Sequence, residues 1–190
     1  VDEMFKKIDI DEIKWNKLTR KYNINSEYIM CTGGDDDRKN IGGLIESYAL
    51  LGKELRDKYQ LVVVCKLQDI AVKIYTDIAK KNRVEERVVL TNFVSNEELV
   101  MLYNKAHLVA FPSKYEGFGL PVVEAYACGI PVVTSNNSSL VQIAGDAAIT
   151  VDPFDNEDIA RGLNDALCNA NREEMVEKGH RLLKIYNWNY

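Results

Sequence analysis

Short apolar runs alternate along the chain with longer segments in which apolar residues recur every three or four positions. The short runs predict six β-strands. Their expected bounds are Tyr28 to Thr32, Leu61 to Cys65, Val88 to Thr91, Leu108 to Phe111, Pro131 to Thr134 and Ala148 to Val151. Strands that alternate with helices imply right-handed crossovers and a mostly parallel sheet covered on both faces. The pattern therefore predicts a Rossmann-like, three-layer α/β domain.

The segments between the strands carry helix signals. Two apolar stripes of helical period are formed by Ile41, Leu44, Ile45, Tyr48, Leu51 and Leu55 in the first and by Ile159, Leu163 and Leu167 in the second. Each stripe predicts one amphipathic helix. Ser95 and Glu98 have the spacing of a capping box, so a helix is expected from about Asn96 to Lys105. Pro121 suits the first position of another helix, where its missing N–H costs nothing.

The two ends of the chain differ from this alternating part. Residues 1–26 are predicted to be a helical or irregular lead-in, and the last 19 or so residues a terminal helix pair. At roughly 100 to 200 residues per domain, the chain has the length of one domain. It begins at Val1 and ends at Tyr190 within a continuing helical pattern, so we expect it to be a piece of a longer protein.

Composition and charge exclude several classes of protein. The 190 residues are 46% hydrophobic, which is enough for one buried core and is atypical of a disordered or collagen-like chain. The 29 acidic residues outnumber the 24 basic ones, so no overall field favours nucleic acid or an anionic membrane surface. No apolar run approaches the roughly 20 residues of a membrane helix, and no signal peptide is visible. We therefore expect a cytoplasmic protein that binds no nucleic acid.

The cysteines and histidines give no sign of a metal site or a general base. The four cysteines, none in a CxxC pair, are Cys31, Cys65, Cys128 and Cys168. Three of them lie in apolar runs, which is typical of reduced core thiols. His107 precedes a strand and His180 lies in a charged terminal helix, so structural or solvated roles are favoured for both.

The first strand leads into a Gly-rich loop, residues 32–40, which opens into an amphipathic helix. Gly33 and Gly34 allow a close backbone approach, and Arg38 and Lys39 add positive charge at the helix start, so the loop has parts of an anion site. A tight turn with solvated charges explains the loop alone equally well. The loop matches neither GxGxxG nor a P-loop. Its three consecutive aspartates resemble an acidic metal motif, but beside two cations a solvated turn is favoured, and no metal is expected.

The loop after the fourth strand, residues 113–125, is the most informative. Two glycines precede a helix that begins near Pro121, and the unpaired N–H groups of a helix start favour a phosphate. Glu116 lies in the loop, whereas Glu124 lies on the helix one turn after Leu120 and on the same side as Leu120. Because carboxylates repel a phosphate, we expect the pair to accept hydrogen bonds from hydroxyls on either side of it, as from a ribose and a sugar. The alternative to a functional pair is that Glu116 is an ordinary surface residue of the loop and that Glu124 is only a favourable charge in the first turn of the helix.

Glu116 and Glu124 form an E-x7-E pattern within EGFGLPVVEAYACGIPVV, with GG-x-D-x-RKN upstream and SNNSSLVQIAGDAA downstream. From about Tyr28 onwards, these segments resemble the C-terminal domain of the GT-B, family 4 (group 1) retaining glycosyltransferases. The opening Val1-Asp2 and the closing Tyr186-Asn187-Trp188 resemble the two ends of that domain. The resemblance implies one half of a GT-B fold, with residues 27–190 as a nucleotide-sugar-binding domain and residues 1–26 as a linker from an absent N-terminal domain.

The resemblance also implies roles for individual residues. Glu116 would lie at the transferred sugar, Glu124 would hold the ribose hydroxyls, and Arg38 and Lys39 would neutralise the departing diphosphate. The implied catalytic residues are Glu116, Arg38 and Lys39. The implied donor-binding residues are Gly33, Gly34, Phe93, Val94, Ser95, Leu99, Gly117, Phe118, Gly119, Leu120 and Glu124. Of these, residues 93–95 would contact the nucleotide base, and Leu99 would support that loop.

Three positions depart from the family pattern: Gly34 where Arg is frequent, Cys65 where Gly is usual, and Gln142 where Glu is usual. The function implied is metal-independent transfer, with retention, from a UDP- or GDP-linked sugar to a glycan or lipid-linked acceptor held by the absent domain. The isolated chain is expected to bind donor and transfer little, and the full-length protein to associate peripherally with a membrane. The alternatives are a non-catalytic nucleotide- or partner-binding module with a vestigial site, a GT-B phosphorylase or epimerase, and a flavodoxin-like module.

Overall fold

The computed structural model describes residues 1–185, and within them a single six-stranded sheet lies between two layers of helices. The strands are β1 (Glu27–Gly34), β2 (Tyr59–Lys66), β3 (Val88–Leu90), β4 (Leu108–Phe111), β5 (Val132–Ser135) and β6 (Ala148–Val151). The helices are α1 (Glu12–Tyr22), α2 (Ile41–Ala49), α3 (Lys53–Lys58), α4 (Asp69–Lys81), α5 (Asn96–Lys105), α6 (Leu120–Ala127), α7 (Leu140–Ala144), α8 (Asn156–Cys168) and α9 (Arg172–Leu183).

The strands all run parallel, in the order β3-β2-β1-β4-β5-β6, which confirms the predicted fold class. Each lies within two residues of its expected bounds. Strand β1 continues beyond its expected end through Gly33 and Gly34 because these pair with Cys65 and Lys66 of β2. Since the strand order reverses between β1 and β4, the loops that follow these two strands meet at the point where such sheets bind ligands.

Successive strand residues enter opposite cores. In β1, Tyr28 and Met30 pack into the layer that contains α1, α5, α6, α7 and α9, whereas Ile29 and Cys31 pack into the layer that contains α2, α3, α4 and α8. A parallel sheet covered on both faces has strands that are apolar throughout rather than alternating. This double burial explains why short continuous apolar runs marked the strands in the sequence.

The predicted capping box is present. The Ser95 hydroxyl accepts a hydrogen bond from the Glu98 N–H at 3.2 Å, and the Glu98 carboxylate accepts one from the Ser95 N–H at 2.9 Å. As a result α5 has the predicted bounds. Pro121 is the second residue of α6 rather than the first, but it still lies in the first turn, where its nitrogen needs no partner.

The prediction of one helix extending to Leu55 is wrong. Helix α2 ends at Ala49, where the N–H groups of Leu50 and Leu51 bond to carbonyls three residues back and tighten the last turn. Gly52 is extended and begins α3 as its N-cap. Leu51 and Leu55 nevertheless pack into one core, so the apolar stripe is continuous although the helix is not.

The lead-in packs against the domain. It contains α1, and its side chains Phe5, Leu18 and Ile24 are buried in the core between the sheet and the helix layer that includes α5 and α6. At the other end, α9 follows α8; the remainder of the predicted terminal pair, with Tyr186-Asn187-Trp188, lies outside the described residues. No helix within residues 1–185 has the length and apolarity needed to cross a membrane.

The three cysteines in apolar runs are core thiols, as predicted. Cys31, Cys65 and Cys128 are buried and Cys168 is exposed, and all four are free. Burial raises the pKa of each of the three buried thiols to about 12, so they stay protonated and unreactive near neutral pH.

Candidate functional site

Asn40 ties together the loops at the carboxyl edge of the sheet. It adopts a left-handed conformation with φ of 57° at the start of α2, and its buried side-chain amide donates to the carbonyls of Pro112 at 3.2 Å and Pro153 at 2.8 Å. The Lys114 N–H also donates to the Arg38 carbonyl at 2.7 Å. The loops after β1, β4 and β6 are therefore held in fixed relation. The sequence analysis missed Asn40, although asparagine is enriched at left-handed positions.

Two of the predicted catalytic residues, Lys39 and Glu116, meet across these loops. Lys39 Nζ lies 2.6 Å from Glu116 Oε1, and the two side chains are only 20% and 13% exposed. The lysine stem runs past Gly33, where an added Cβ would lie 3.4 Å from the Lys39 Cδ. Lys39 Nζ also lies 5.2 Å from the centre of the Phe111 ring. The cation is thus fixed in a largely desolvated position, where its field acts more strongly than in water.

The other cations of the two loops are paired with the acidic residues of the first loop. Arg38 forms a two-pronged contact with Asp36, at 3.0 Å through Nε and 2.7 Å through Nη2, and this guanidinium lowers the pKa of Asp36 to about 2. Lys114 Nζ lies 3.1 Å from Asp37. Asp35 accepts a hydrogen bond from the Gln68 N–H at 3.1 Å. Among residues 1–185, no group of three or more His, Cys, Asp and Glu is arranged to hold a metal ion.

The backbone of the EGFG segment is held by the segment that follows β5. Ser139 Oγ lies 2.9 Å from the carbonyl oxygens of both Glu116 and Phe118, and Ser138 Oγ accepts a hydrogen bond from the Glu116 N–H at 3.2 Å. Gly119 has φ of 103°, and a Cβ there would lie 2.6 Å from the Leu140 Cδ2. Both the conformation and the contact require glycine at the start of α6. The two serines were not predicted as site residues.

Glu124 lies half-buried on α6 and is held by a residue of α5. The hydroxyl of Tyr103, which is fully buried, donates to Glu124 Oε2 at 2.7 Å. Burial raises the pKa of Glu124, and the hydrogen bond from Tyr103 opposes that rise. Nothing in the sequence near Tyr103 distinguished it from an ordinary core residue.

The predicted base-binding residues form a separate part of the same edge, after β3. Phe93 is 69% exposed, and Val94 and Leu99 are half-buried. The Phe93 carbonyl lies 3.4 Å from the Tyr22 hydroxyl, and Ser95 caps α5, so the hydrogen bonds of this loop run to α1 and α5.

Of the remaining predicted residues, Gly34, Gly117 and Leu120 are exposed and Phe118 is half-buried. They lie at the same carboxyl edge as Glu116 and Lys39. His107 lies at the opposite edge, where Nδ1 is 3.0 Å from Glu27 and Nε2 is 3.3 Å from the Tyr59 hydroxyl, as expected of a structural histidine.

Comparison with known proteins identifies the family. The profile of the family described as Glycosyl transferases group 1 matches residues 16–182. The chain belongs to the group 1 glycosyltransferase family. The serotype-specific mannosyltransferase WbdA of Escherichia coli is 34% identical over 168 residues, which are 88% of this chain and 21% of WbdA. The O-antigen chain mannosyltransferase B of Escherichia coli is 34% identical over 162 residues, which are 85% of this chain and 42% of that protein. The chain thus spans less than half of these curated relatives.

Solved structures of glycosyltransferases have the same fold. The C-terminal domain of the group 1 glycosyltransferase LpcC from Francisella tularensis aligns over 98% of both chains with a TM-score of 0.81 and 19% identity. HepE from Anabaena, crystallised with UDP and glucose, aligns over 96% of this chain and 48% of HepE with a TM-score of 0.78 and 19% identity. The group 1 chain therefore has the architecture of one half of a GT-B glycosyltransferase.

Proposed function

We propose that this chain is the nucleotide-sugar-binding half of a glycosyltransferase that moves a sugar from a nucleoside diphosphate to a glycan or lipid-linked acceptor. Two relatives at 34% identity are named mannosyltransferases, so mannose carried by GDP is the first donor to test and UDP-linked sugars are the second.

The Lys39–Glu116 pair is the observation that carries this proposal. A cation at 2.6 Å from a carboxylate, largely removed from water at the point where the strand order reverses, suits a ligand that presents a phosphate beside a hydroxyl. The diphosphate would form an ion pair with Lys39, and Glu116 would accept a hydrogen bond from a hydroxyl of the sugar.

The same arrangement supports transfer without a metal ion. Negative charge develops on the diphosphate as the bond to the sugar breaks, and a cation already in place stabilises that charge without reorganisation. Lys39 is fixed in this way before any ligand arrives. Arg38 would supply a second cation by leaving Asp36 and pairing with the phosphate. This exchange is feasible because the Arg38–Asp36 contact lies at the surface, with side chains 59% and 39% exposed. Retention of configuration is part of the proposal and is supported by the family resemblance.

The acceptor would be bound by the half of the protein that this chain does not include. The relatives are more than twice as long as the aligned region. The isolated chain is accordingly expected to bind the donor and to transfer little sugar, and detectable transfer by this chain alone would contradict that part of the proposal.

Calorimetric titration of the chain with GDP, UDP and dTDP, each with and without EDTA, tests the proposal. We expect one of the three to bind, with an affinity that EDTA leaves unchanged. Glu124→Gln is expected to weaken that binding, whereas Lys80→Ala, an exposed residue in the last turn of α4, should leave it unaltered. If the chain binds none of the three diphosphates, or if Glu124→Gln leaves the binding intact, the assignment of the site is overturned.

A further inference from the structure

The two carboxylates of the site are held in different ways. Glu116 is paired with a cation, whereas Glu124 receives a hydrogen bond from a neutral hydroxyl. A carboxylate whose charge is neutralised by a lysine is a weaker acceptor for other donors. One that is bonded to a neutral phenol keeps its full charge, and hydrogen bonds to a charged acceptor are the stronger kind.

The position of Tyr103 is set by its burial and by packing against Phe5. Its ring has no exposed surface and forms a T-shaped pair with the Phe5 ring, at a centroid distance of 5.5 Å and an angle of 87°. A hydroxyl buried in an apolar environment needs a hydrogen-bond acceptor, because leaving it unsatisfied costs about 1–3 kcal/mol. The 2.7 Å contact with Glu124 Oε2 satisfies it, and the rigid ring in turn fixes where that oxygen lies.

We propose that Tyr103 is the positioning residue that orients the Glu124 carboxylate toward the two ribose hydroxyls of the bound nucleotide. The phenol occupies one acceptor direction of Oε2 and leaves Oε1 and the remaining direction of Oε2 for the ligand. Phe5 supports Tyr103 from the lead-in, so residues ahead of β1 contribute to the nucleotide site. This inference rests on the proposed function, since it names the part of that nucleotide which Glu124 recognises.

The test compares Tyr103→Phe with wild type, using whichever of GDP and UDP binds more tightly together with its 2′,3′-dideoxy counterpart. Removal of the hydroxyl is expected to weaken binding of the ribose form roughly tenfold, the effect of one hydrogen bond to a charged group. The dideoxy form should lose less than twofold, because it presents no ribose hydroxyls. Tyr48→Phe is the matched control: it removes another buried phenol, which donates to the Tyr59 carbonyl at 2.6 Å on the opposite face of the sheet.

The pH dependence of binding gives a second readout that a purely structural role would not change. Glu124 must be ionised to accept ribose hydroxyls, so affinity falls as the pH drops through its pKa. The Tyr103 hydroxyl lowers that pKa, and its removal should shift the acid limb of the affinity profile to higher pH. The other titratable groups that interact with Glu124 are Asp2, the terminal amine and the Cys128 thiol, and all three are unchanged in the variant.

The outcomes separate this inference from the proposed function. If wild type binds none of GDP, UDP and dTDP, the proposed function fails. If wild type binds and Glu124→Gln weakens binding, but Tyr103→Phe behaves like Tyr48→Phe with both ligands, only the role of Tyr103 is overturned. Should Tyr103→Phe fail to fold, proton NMR of wild type decides: the protected hydroxyl proton of Tyr103 is expected to shift when the nucleotide binds, and a resonance that does not respond would refute the inference.

Discussion

Replacing Lys39 with alanine should weaken nucleoside diphosphate binding by at least tenfold. In the free chain, Lys39 lies 2.6 Å from Glu116 with a fifth of its side chain exposed, so the cation is already placed and partly desolvated. A hydrogen bond between charged groups contributes about 1.5–3 kcal/mol, which corresponds to roughly 10- to 150-fold in affinity. We expect the lower part of this range, because the diphosphate must share Lys39 with Glu116.

The same substitution should also destabilise the fold, for a different reason. It leaves the Glu116 carboxylate, which is 13% exposed, without its cation. Loss of a partner from a mostly buried charge costs about 1–3 kcal/mol. The double variant Lys39→Ala/Glu116→Ala should recover most of that stability, yet it should not recover affinity, because the cation is still missing.

Titration calorimetry and thermal unfolding of the three proteins measure the two effects separately. At about 2–4 °C per kcal/mol for a chain of this size, the single variant should lose roughly 2–12 °C in Tm. Lys80→Ala removes an equal charge in the last turn of α4 and serves as the control. If Lys39→Ala bound the diphosphate as tightly as Lys80→Ala does, the assignment of Lys39 to the phosphate would be refuted.

Three further outcomes are expected. In urea unfolding, Gly119→Ala should lower the free energy of unfolding by about 2–4 kcal/mol, because the φ of Gly119 is 103° and the new Cβ would lie 2.6 Å from Leu140. The control Gly117→Ala should be nearly neutral, because its Cβ would meet nothing within 4 Å. Asn40→Ala should lose about 1–3 kcal/mol in the same assay, because two buried proline carbonyls lose their donor; an unchanged midpoint would show that the loops are held in another way. With a thiol reagent at neutral pH, Cys168 alone should react in the folded chain, and all four thiols should react only after unfolding.

The fold was predictable because helices cover both faces of the sheet, and the four central strands β1, β2, β4 and β5 are mostly buried. Burial on both faces favours short, continuously apolar runs, a pattern that the amphipathic helices of this chain do not share. Strand ends were less predictable, since they depend on the neighbouring strand: Gly33 and Gly34 belong to β1 only because β2 continues beside them. The break between α2 and α3 was hidden because Leu51 and Leu55 keep the apolar spacing across Gly52.

The site was predictable where its residues follow one another along the chain. Glu116 and Glu124 share a single motif, and Arg38 and Lys39 lie in a Gly-rich loop. The sequence did not reveal Tyr103 or Ser139, because each acts through a contact made only in the folded chain. The Tyr103 hydroxyl meets a carboxylate on another helix, and Ser139 meets a carbonyl 23 residues away. Both look like ordinary residues of their own elements.

A crystal structure of this chain with GDP-mannose or GDP bound, determined without added metal ions, tests the central claim most directly. We predict that a diphosphate oxygen lies within hydrogen-bond distance of Lys39 Nζ, that the ribose hydroxyls donate to Glu124, and that the Tyr103 hydroxyl keeps its contact with that carboxylate. A nucleotide bound at another edge of the sheet, or one whose diphosphate is held by a metal ion away from Lys39, would contradict the account.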